Sequence, residues 1–536
     1  MLTTLSPQRS RMSLQGAVAS AHPLATQAGL GVLRDGGNAF DAAVATAAAL
    51  TVAEPFMSGL AGMGSAVMWD ARGRRVRALD FVPGLPMSYD PDLYPKRTDA
   101  ARGALSVGLP ATLMSWQVLN DELGSRPLGE LLAPAIALAE NGVALTEFAV
   151  TELSHALSEM SRWRAIGSGF ARVFGHASTP RVGEVLRQPD LARTLRSIAK
   201  AGADHLYRGP LGKEIAATLQ SLGGCLTLED IAAVSVRWRE PLSVVYLGLA
   251  VHVPPPPCEA FQFLLTLKLL ERAGLSDHPF GSAEHFDKAL RAIRLAAGER
   301  IKTNRPDAGD LARMFRSDRI EALLARHASG DGLAGATEHW DAASFAEPSP
   351  AHTTSFSVAD REGNLICVTQ SLGSAFGSGA VVPGTGVTLN NFLYWADAAP
   401  GSPNRAGPGD SLPMCMSPSI ALRDGRPVLA LGTPGGYGIL QTQPQVYAGL
   451  FDFGFPLQTA ISLPRARAWD GRAVQVESRG QSDVITRLRE MGHDASAFED
   501  DWAMAAGGMQ AIQINPDAGV MTAAADPRRD GMAGVL

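Results

Sequence analysis

The sequence predicts an α+β protein, with helices gathered in the first two thirds of the chain and strands in the last third. Apolar residues recur at helical spacing from Leu24 to Thr51 and over most of Ser106 to Arg272. From Thr353 onward the pattern changes to short strand-like runs separated by turn residues. The composition supports a large packed core. Of 536 residues, 46% are hydrophobic and 19% charged, too apolar and too weakly charged for a disordered chain.

Taken in order, LATQAGLGVLRDGG reads as a helix stopped by Gly36 and Gly37. Asn38 is placed to cap a second helix, FDAAVATAAALTVA. A glycine-rich turn over Ser58 to Gly64 leads into strands at Ser65–Trp69 and Val76–Phe81. One strand-like run, LSVVYLGLAVHV, interrupts the helical stretch that follows. The prolines Pro254 to Pro257 interrupt it again and cannot lie inside a helix. A buried helix is expected at Phe261–Ala273, charged helices from Ser282 to His327, and a loop over 328–352. TSFSVAD and LICVTQSL, joined by Arg-Glu-Gly-Asn, form a hairpin. Further strands are expected at Val381–Leu389, Ser419–Leu422 and Val428–Leu431.

The formal net charge is −6 and the pI near 6.0, so no basic face suggests nucleic acid as a partner. The longest apolar stretch, Ala42 to Ala53, is too short to span a bilayer. The N-terminal residues lack the apolar core of a secretory signal. A cytoplasmic protein with no nucleic-acid or membrane partner is the expectation. Cys225, Cys258, Cys367 and Cys415 are scattered, and there is no CxxC or HExxH. No disulfide framework, metal or cofactor is therefore expected.

Two places stand out chemically. A loop enters a strand at His352-Thr353-Thr354-Ser355. A glycine turn, Gly432-Thr433-Pro434-Gly435-Gly436, lies between a strand and a helix, where backbone N–H groups can cradle an anion. Each is weak evidence alone. With other segments in the same order, they make the chain resemble the gamma-glutamyltransferase (gamma-glutamyltranspeptidase) family of N-terminal nucleophile hydrolases. Those segments are GAVASAHPLATQAGLGVLRDGGNAFDAAVA, LYRGPLG, GGCLTLEDIAAVSVRWREPLSVVYLG, the four prolines, TTSFSVADREGN, FGSG, LNN, MSPSI and the terminal DPRR.

The resemblance implies a four-layer αββα sandwich, two stacked and mainly antiparallel sheets flanked by helices. Length alone suggests about three or four domains; the resemblance instead implies one interwoven unit. It also implies a precursor cut between His352 and Thr353. The products would be a large subunit, residues 1–352, and a small subunit, residues 353–536. Thr353 would be the nucleophile for both the cut and the later reaction, with Thr354 beside it at the processing site. Its freed α-amine, with an ordinary pKa of about 7.7–8.0, would act as the base. Gly435 and Gly436 match the oxyanion hole. Ser371 matches a threonine whose hydroxyl bonds the nucleophile. Arg465 and Arg528 match arginines of structural ion pairs. A small-molecule amide would be the substrate, and a homodimer of the processed unit is compatible with this picture.

The departures bear on substrate. The positions that match the family's glutamyl-binding groups hold Val82, Phe392, Trp395, Met414, Cys415 and Gly373, and Tyr437 follows the glycine pair. A zwitterionic glutamyl group would find no charged partner among them, and unpaired charge is costly to desolvate. The expected activity is that of an amidohydrolase or acyltransferase acting on an amide other than an ordinary gamma-glutamyl compound. The segments FGSGAVVPGTG and GTPGGYGILQTQPQ are similar to those of oxamate-amidohydrolase and cephalosporin-acylase relatives. Two alternatives stay open. One is an authentic gamma-glutamyltransferase or glutathione hydrolase in which Arg102 or Arg405 holds the carboxylate. The other is an uncut scaffold that binds without cleaving.

Overall fold

The computed structural model describes residues 8–94, 97–161, 164–175, 179–337, 352–402, 404–477, 479 and 482–536. Fourteen strands build its two large sheets, seven in each. In chain order they are β1 (Arg11–Ser13), β2 (Gly16–Ser20), β3 (Met63–Asp70), β4 (Arg75–Phe81), β5 (Arg237–Arg239), β6 (Leu242–Tyr246) and β7 (Leu249–Val253). The rest are β8 (His352–Asp360), β9 (Leu365–Gly373), β10 (Ser419–Arg423), β11 (Arg426–Gly432), β12 (Gln510–Asn515), β13 (Val520–Ala525) and β14 (Met532–Val535).

The first sheet runs β14-β2-β8-β9-β3-β4-β5 and the second β1-β13-β12-β11-β10-β7-β6. Neighbours in both are antiparallel. Alternation along the strands makes three apolar layers. Ala17, Ala19, Val67, Cys367, Ile420, Ala430 and Ile512 meet between the sheets. Val18, Ala66, Met68, Phe356, Val358 and Val368 point the other way, into the first helical layer. Val251, Ala421, Leu429 and Leu431 point into the second helical layer.

The helices that matter to the site are α1 (Pro23–Arg34), α2 (Ala39–Ala53), α3 (Leu128–Asn141), α4 (Glu147–Met160), α5 (Pro189–Ala201), α6 (Phe261–Leu270), α7 (Ala283–Lys302) and α8 (Ile439–Phe451). The first helical layer holds α1, α2, α3 and α5, and α6 and α8 cover the second sheet. Every residue of α2 is buried. Its alanines leave little bulk, so sheet and neighbouring helices close around it. Asn38 caps it and forms a reciprocal pair of bonds with Asp41. The expected αββα sandwich is present.

The distribution of strands differs from the expectation. Seven of the fourteen precede residue 352, so the large N-terminal portion supplies half of the sheet structure. The run LSVVYLGLAVHV is a hairpin, β6 and β7, because Leu247 and Gly248 take φ values of 48° and 77° and turn the chain back. The strand expected at Val381–Leu389 is a small ladder of Val381–Val382 on Val387–Thr388. Gly384 and Gly386, both with positive φ, turn the chain between them. The helix expected to end at Ala273 ends at Leu270. Of the loop expected over 328–352, residues 338–351 lie outside the described residues, Ser329 still ends a helix, and His352 opens β8. Among the described residues no helix is long and apolar enough to cross a membrane.

Candidate active site

Thr353 lies where the β8–β9 ladder breaks register. His352 pairs with Gly373 and Thr354 with Gln370. Between them Thr353 alone faces Ser371 and Leu372. Such an irregularity re-aims a side chain that a regular ladder would turn to one sheet face. Thr353 is 6% exposed and Ser371 1%. Thr353 Oγ1 donates to Ser371 Oγ at 3.2 Å, and Ser371 Oγ donates to the carbonyl oxygen of His352 at 2.7 Å. The Gly373 N–H donates to Ser371 Oγ at 2.8 Å and holds it in place. One hydroxyl thus bridges the Thr353 hydroxyl and the carbonyl that precedes it.

Buried charge flanks this bridge. His352 Nε2 lies 2.6 Å from Glu152 Oε2 on α4. Burial works to raise the Glu152 pKa, but the bond and charge of His352, together with Arg529 and His155, outweigh it and the net direction is down. Thr354 Oγ1 donates to Glu54 Oε2 at 2.9 Å. Burial pushes Glu54 up to about 7, against the pull of Arg529 and the Thr354 hydroxyl. Arg529 Nη1 donates to the Thr353 carbonyl at 3.1 Å. The sequence reading did not single out Glu54, Glu152 or Arg529. Arg529 closes the DPRR segment, which offered one signal. The two glutamates sit in ordinary helical surroundings and offered none.

Gly435 and Gly436 turn the chain from β11 into α8, with φ of 133° and 54°. The N–H groups at the turn face no protein acceptor among the described residues. They precede a thirteen-residue helix whose N-terminus carries partial positive charge. Gly432, at the end of β11, is pressed onto the hairpin that holds Thr353. A Cβ there would stand 2.2 Å from Ser355 Oγ and 2.7 Å from Cys367 Sγ.

Val82, Phe392, Trp395, Met414, Cys415 and Tyr437 gather in one apolar cluster that also contains Met63. Met63 is the register partner of Ser371, so the cluster adjoins the Thr353 hairpin. Trp395 and Tyr437 meet with ring centroids 5.5 Å apart. Arg300 lies over Tyr437 at 4.2 Å. It also pairs with Glu259 at 2.9 Å and bonds Gln262 and the Thr337 carbonyl. The Tyr437 hydroxyl bonds Glu259. These charges neutralise one another behind the aromatic wall. Gly373 has φ of 102°, and a Cβ on it would fall 2.1 Å from Asn391 Oδ1. Asn391 occupies the space a larger residue would need, and accepts from Ser374 N while donating to the Ala101 carbonyl.

The arginines named at the sequence level are engaged elsewhere. Arg102 is bound to Glu159 and to the Ala375 and Gly377 carbonyls. Arg405 reaches Asp92 near the surface. Arg465 pairs with Asp526, and Arg528 pairs with Asp526 and Glu477, all buried.

A two-sheet sandwich with a threonine at a strand-opening irregularity, followed by a glycine turn on the facing sheet, defines an N-terminal nucleophile hydrolase class of fold. The profile of the gamma-glutamyltranspeptidase family matches residues 25–536. The chain is 31% identical to the glutathione hydrolase proenzyme of Bacillus subtilis strain 168, over 97% of this chain and 91% of that protein. It is 32% identical to the acylase ACY 1 proenzyme of Pseudomonas sp. strain SE83, over 96% and 93%. It superposes on the crystal structure of cephalosporin acylase from Bacillus halodurans with a TM-score of 0.85 and 30% identity, covering 100% of this chain and 98% of that one. The chain belongs to the gamma-glutamyltranspeptidase family of self-processing hydrolases and acylases, and is an enzyme of that family.

Proposed function

We propose that the protein is a self-processing N-terminal threonine amidohydrolase acting on an amide other than an ordinary gamma-glutamyl compound. The observation that carries the reading is the bridge from Thr353 Oγ1 through Ser371 Oγ to the His352 carbonyl. In processing, Thr353 Oγ attacks the carbonyl carbon of His352. Its proton passes toward Ser371, and the Ser371 proton moves onto the developing oxyanion. The C–N bond then breaks and the nitrogen takes up a proton, leaving an ester on Oγ. Water cleaves the ester, giving a His352 carboxylate and a free Thr353 amine. That amine serves as base when Oγ attacks a substrate amide. The Gly435 and Gly436 N–H groups stabilise the resulting oxyanion, and a donor of this kind is typically worth about 3–4 kcal/mol.

The apolar cluster of Val82, Phe392, Trp395, Met414 and Cys415 supports the substrate reading. A glutamyl head placed there would bury a carboxylate and an ammonium without partners. The engagement of Arg102 and Arg405 weighs against their serving as substitutes. Denaturing electrophoresis with N-terminal sequencing tests the reading. Two fragments, the smaller beginning Thr353-Thr354-Ser355, are expected from the wild type and one uncut chain from Thr353→Ala. An uncut wild-type chain would sink the proposal.

A further inference from the structure

Val82 lines a cavity of about 550 Å³ together with Asp80, Arg237, Arg239, Pro257 and Arg305. That volume lies in the range of small-molecule sites. Arg237 and Arg239 alternate with Trp238 on the edge strand β5, so both project from one side of it. Among the described residues neither is part of an ion pair; Arg239 reaches only the Pro256 carbonyl, at 3.3 Å. The other charges on the wall are spoken for. Arg305 is paired with Asp410. Asp230 is bound by Ser88, Thr227 and the Met87 N–H. Asp80 stands across from Arg237 in register and accepts from the Val82 N–H. Burial raises its pKa to about 6, against the pull of Arg239 and Arg237.

Val82, on the cavity wall, lies two strands from Ser371 in the same sheet. Ser371 on β9 pairs with Met63 on β3, and Gly64 pairs with Phe81 on β4. Val82 is therefore the next residue in the row Ser371, Met63, Val82. Two strand spacings separate its ends, about 10 Å. The row is apolar between a hydroxyl at one end and a cationic cavity at the other.

We infer that this cavity binds an anionic group of the substrate, held by Arg237 and Arg239, with an apolar span between that group and the amide cleaved at Thr353. The inference rests on the amidohydrolase reading and narrows its substrate class to amides with a carboxylate far from the scissile bond. A gamma-glutamyl group is too short to reach from Ser371 past Val82.

The test compares suberoyl p-nitroanilide, which carries a terminal carboxylate, with its uncharged primary-amide analogue. Processed wild-type protein should prefer the charged anilide by about tenfold in kcat/KM, more at low salt than at high. In Arg237→Gln/Arg239→Gln the preference should fall to within about twofold, through loss on the charged anilide. Arg237→Lys/Arg239→Lys should keep most of it. Equal turnover of the two anilides by the wild type overturns the inference, as does an equal loss on both in the glutamine variant. Calorimetric binding of suberate to Thr353→Ala reads the cavity without catalysis. Saturable binding abolished by the two glutamines supports the cavity even where neither anilide is cleaved, a result that would count only against the amidase reading. Absent or arginine-independent binding overturns the cavity assignment.

Discussion

Ser371 Oγ donates to the carbonyl oxygen of His352 across 2.7 Å, and so holds the carbonyl that the neighbouring Thr353 hydroxyl would attack. Because Ser371 also accepts from Thr353, it can pass a proton as the oxyanion forms. Ser371→Ala is expected to slow processing on the order of a hundredfold, the loss typical of one oxyanion donor. Ser371→Thr should restore it. Time-resolved electrophoresis of freshly refolded chain measures both. Processing of the alanine variant at the wild-type rate would remove Ser371 from the mechanism.

Gly373 cannot take a side chain without rebuilding its surroundings. Its φ of 102° strains any L side chain, and Asn391 fills the space where a Cβ would go. Gly373→Asn should cost about 1–3 kcal/mol in stability from backbone strain alone, and more from the clash. Chemical denaturation measures the loss. A variant as stable as the wild type would show that the Asn391 side chain moves freely aside.

Glu54 makes stability depend on pH. Burial lifts its pKa to about 7 in the folded protein, while an unfolded glutamate titrates near 4.3. Between those values the folded state keeps a proton that the unfolded chain has lost. Its contribution to stability is therefore complete at low pH and declines as pH rises through that window. Glu54→Gln should remove this component and flatten the curve of melting temperature against pH between about 4.5 and 7. An unchanged slope would mean that Glu54 is not the group responsible.

The apolar cluster beside the Thr353 hairpin predicts the substrate preference of processed protein. Gamma-glutamyl p-nitroanilide should be turned over at least about tenfold less efficiently than an anilide of an unbranched acyl group lacking the α-ammonium and α-carboxylate, since each unpaired charge costs roughly 1–3 kcal/mol or more to bury. Comparable kcat/KM values would return the enzyme to the gamma-glutamyl group of activities.

Much of this was legible along the chain. Asn38, Gly36 and Gly37 announce the boundary between α1 and α2, because caps and stops act within a few residues. The hairpin at Asp360 to Asn364 was readable for the same reason: Asp360 Oδ1 accepts from the N–H groups of Glu362 and Asn364. The two-strand nature of Leu242–Val253 was not, because Leu247 takes a positive φ that its residue type does not advertise. Of the N-terminal strands that went unread, β1 and β5 are three-residue edge strands too short to show a pattern, and β2 is buried throughout and so lacks the alternation that marks a half-exposed strand.

By itself the sequence determined the family, the threonine near the head of β8, the glycine turn and the loss of polar groups at six positions. These are matters of residue type and order, which the chain carries directly. The tertiary structure alone decided that Thr353 falls at a register break opposite Ser371, that Glu54, Glu152 and Arg529 surround it, and that Arg102 and Arg405 are committed elsewhere. It also placed Arg237 and Arg239 in a cavity one row of residues away from Ser371. The physical reason is that hydrogen bonding and charge pairing depend on distances between segments hundreds of residues apart, and only the packing of one sheet on another sets those distances.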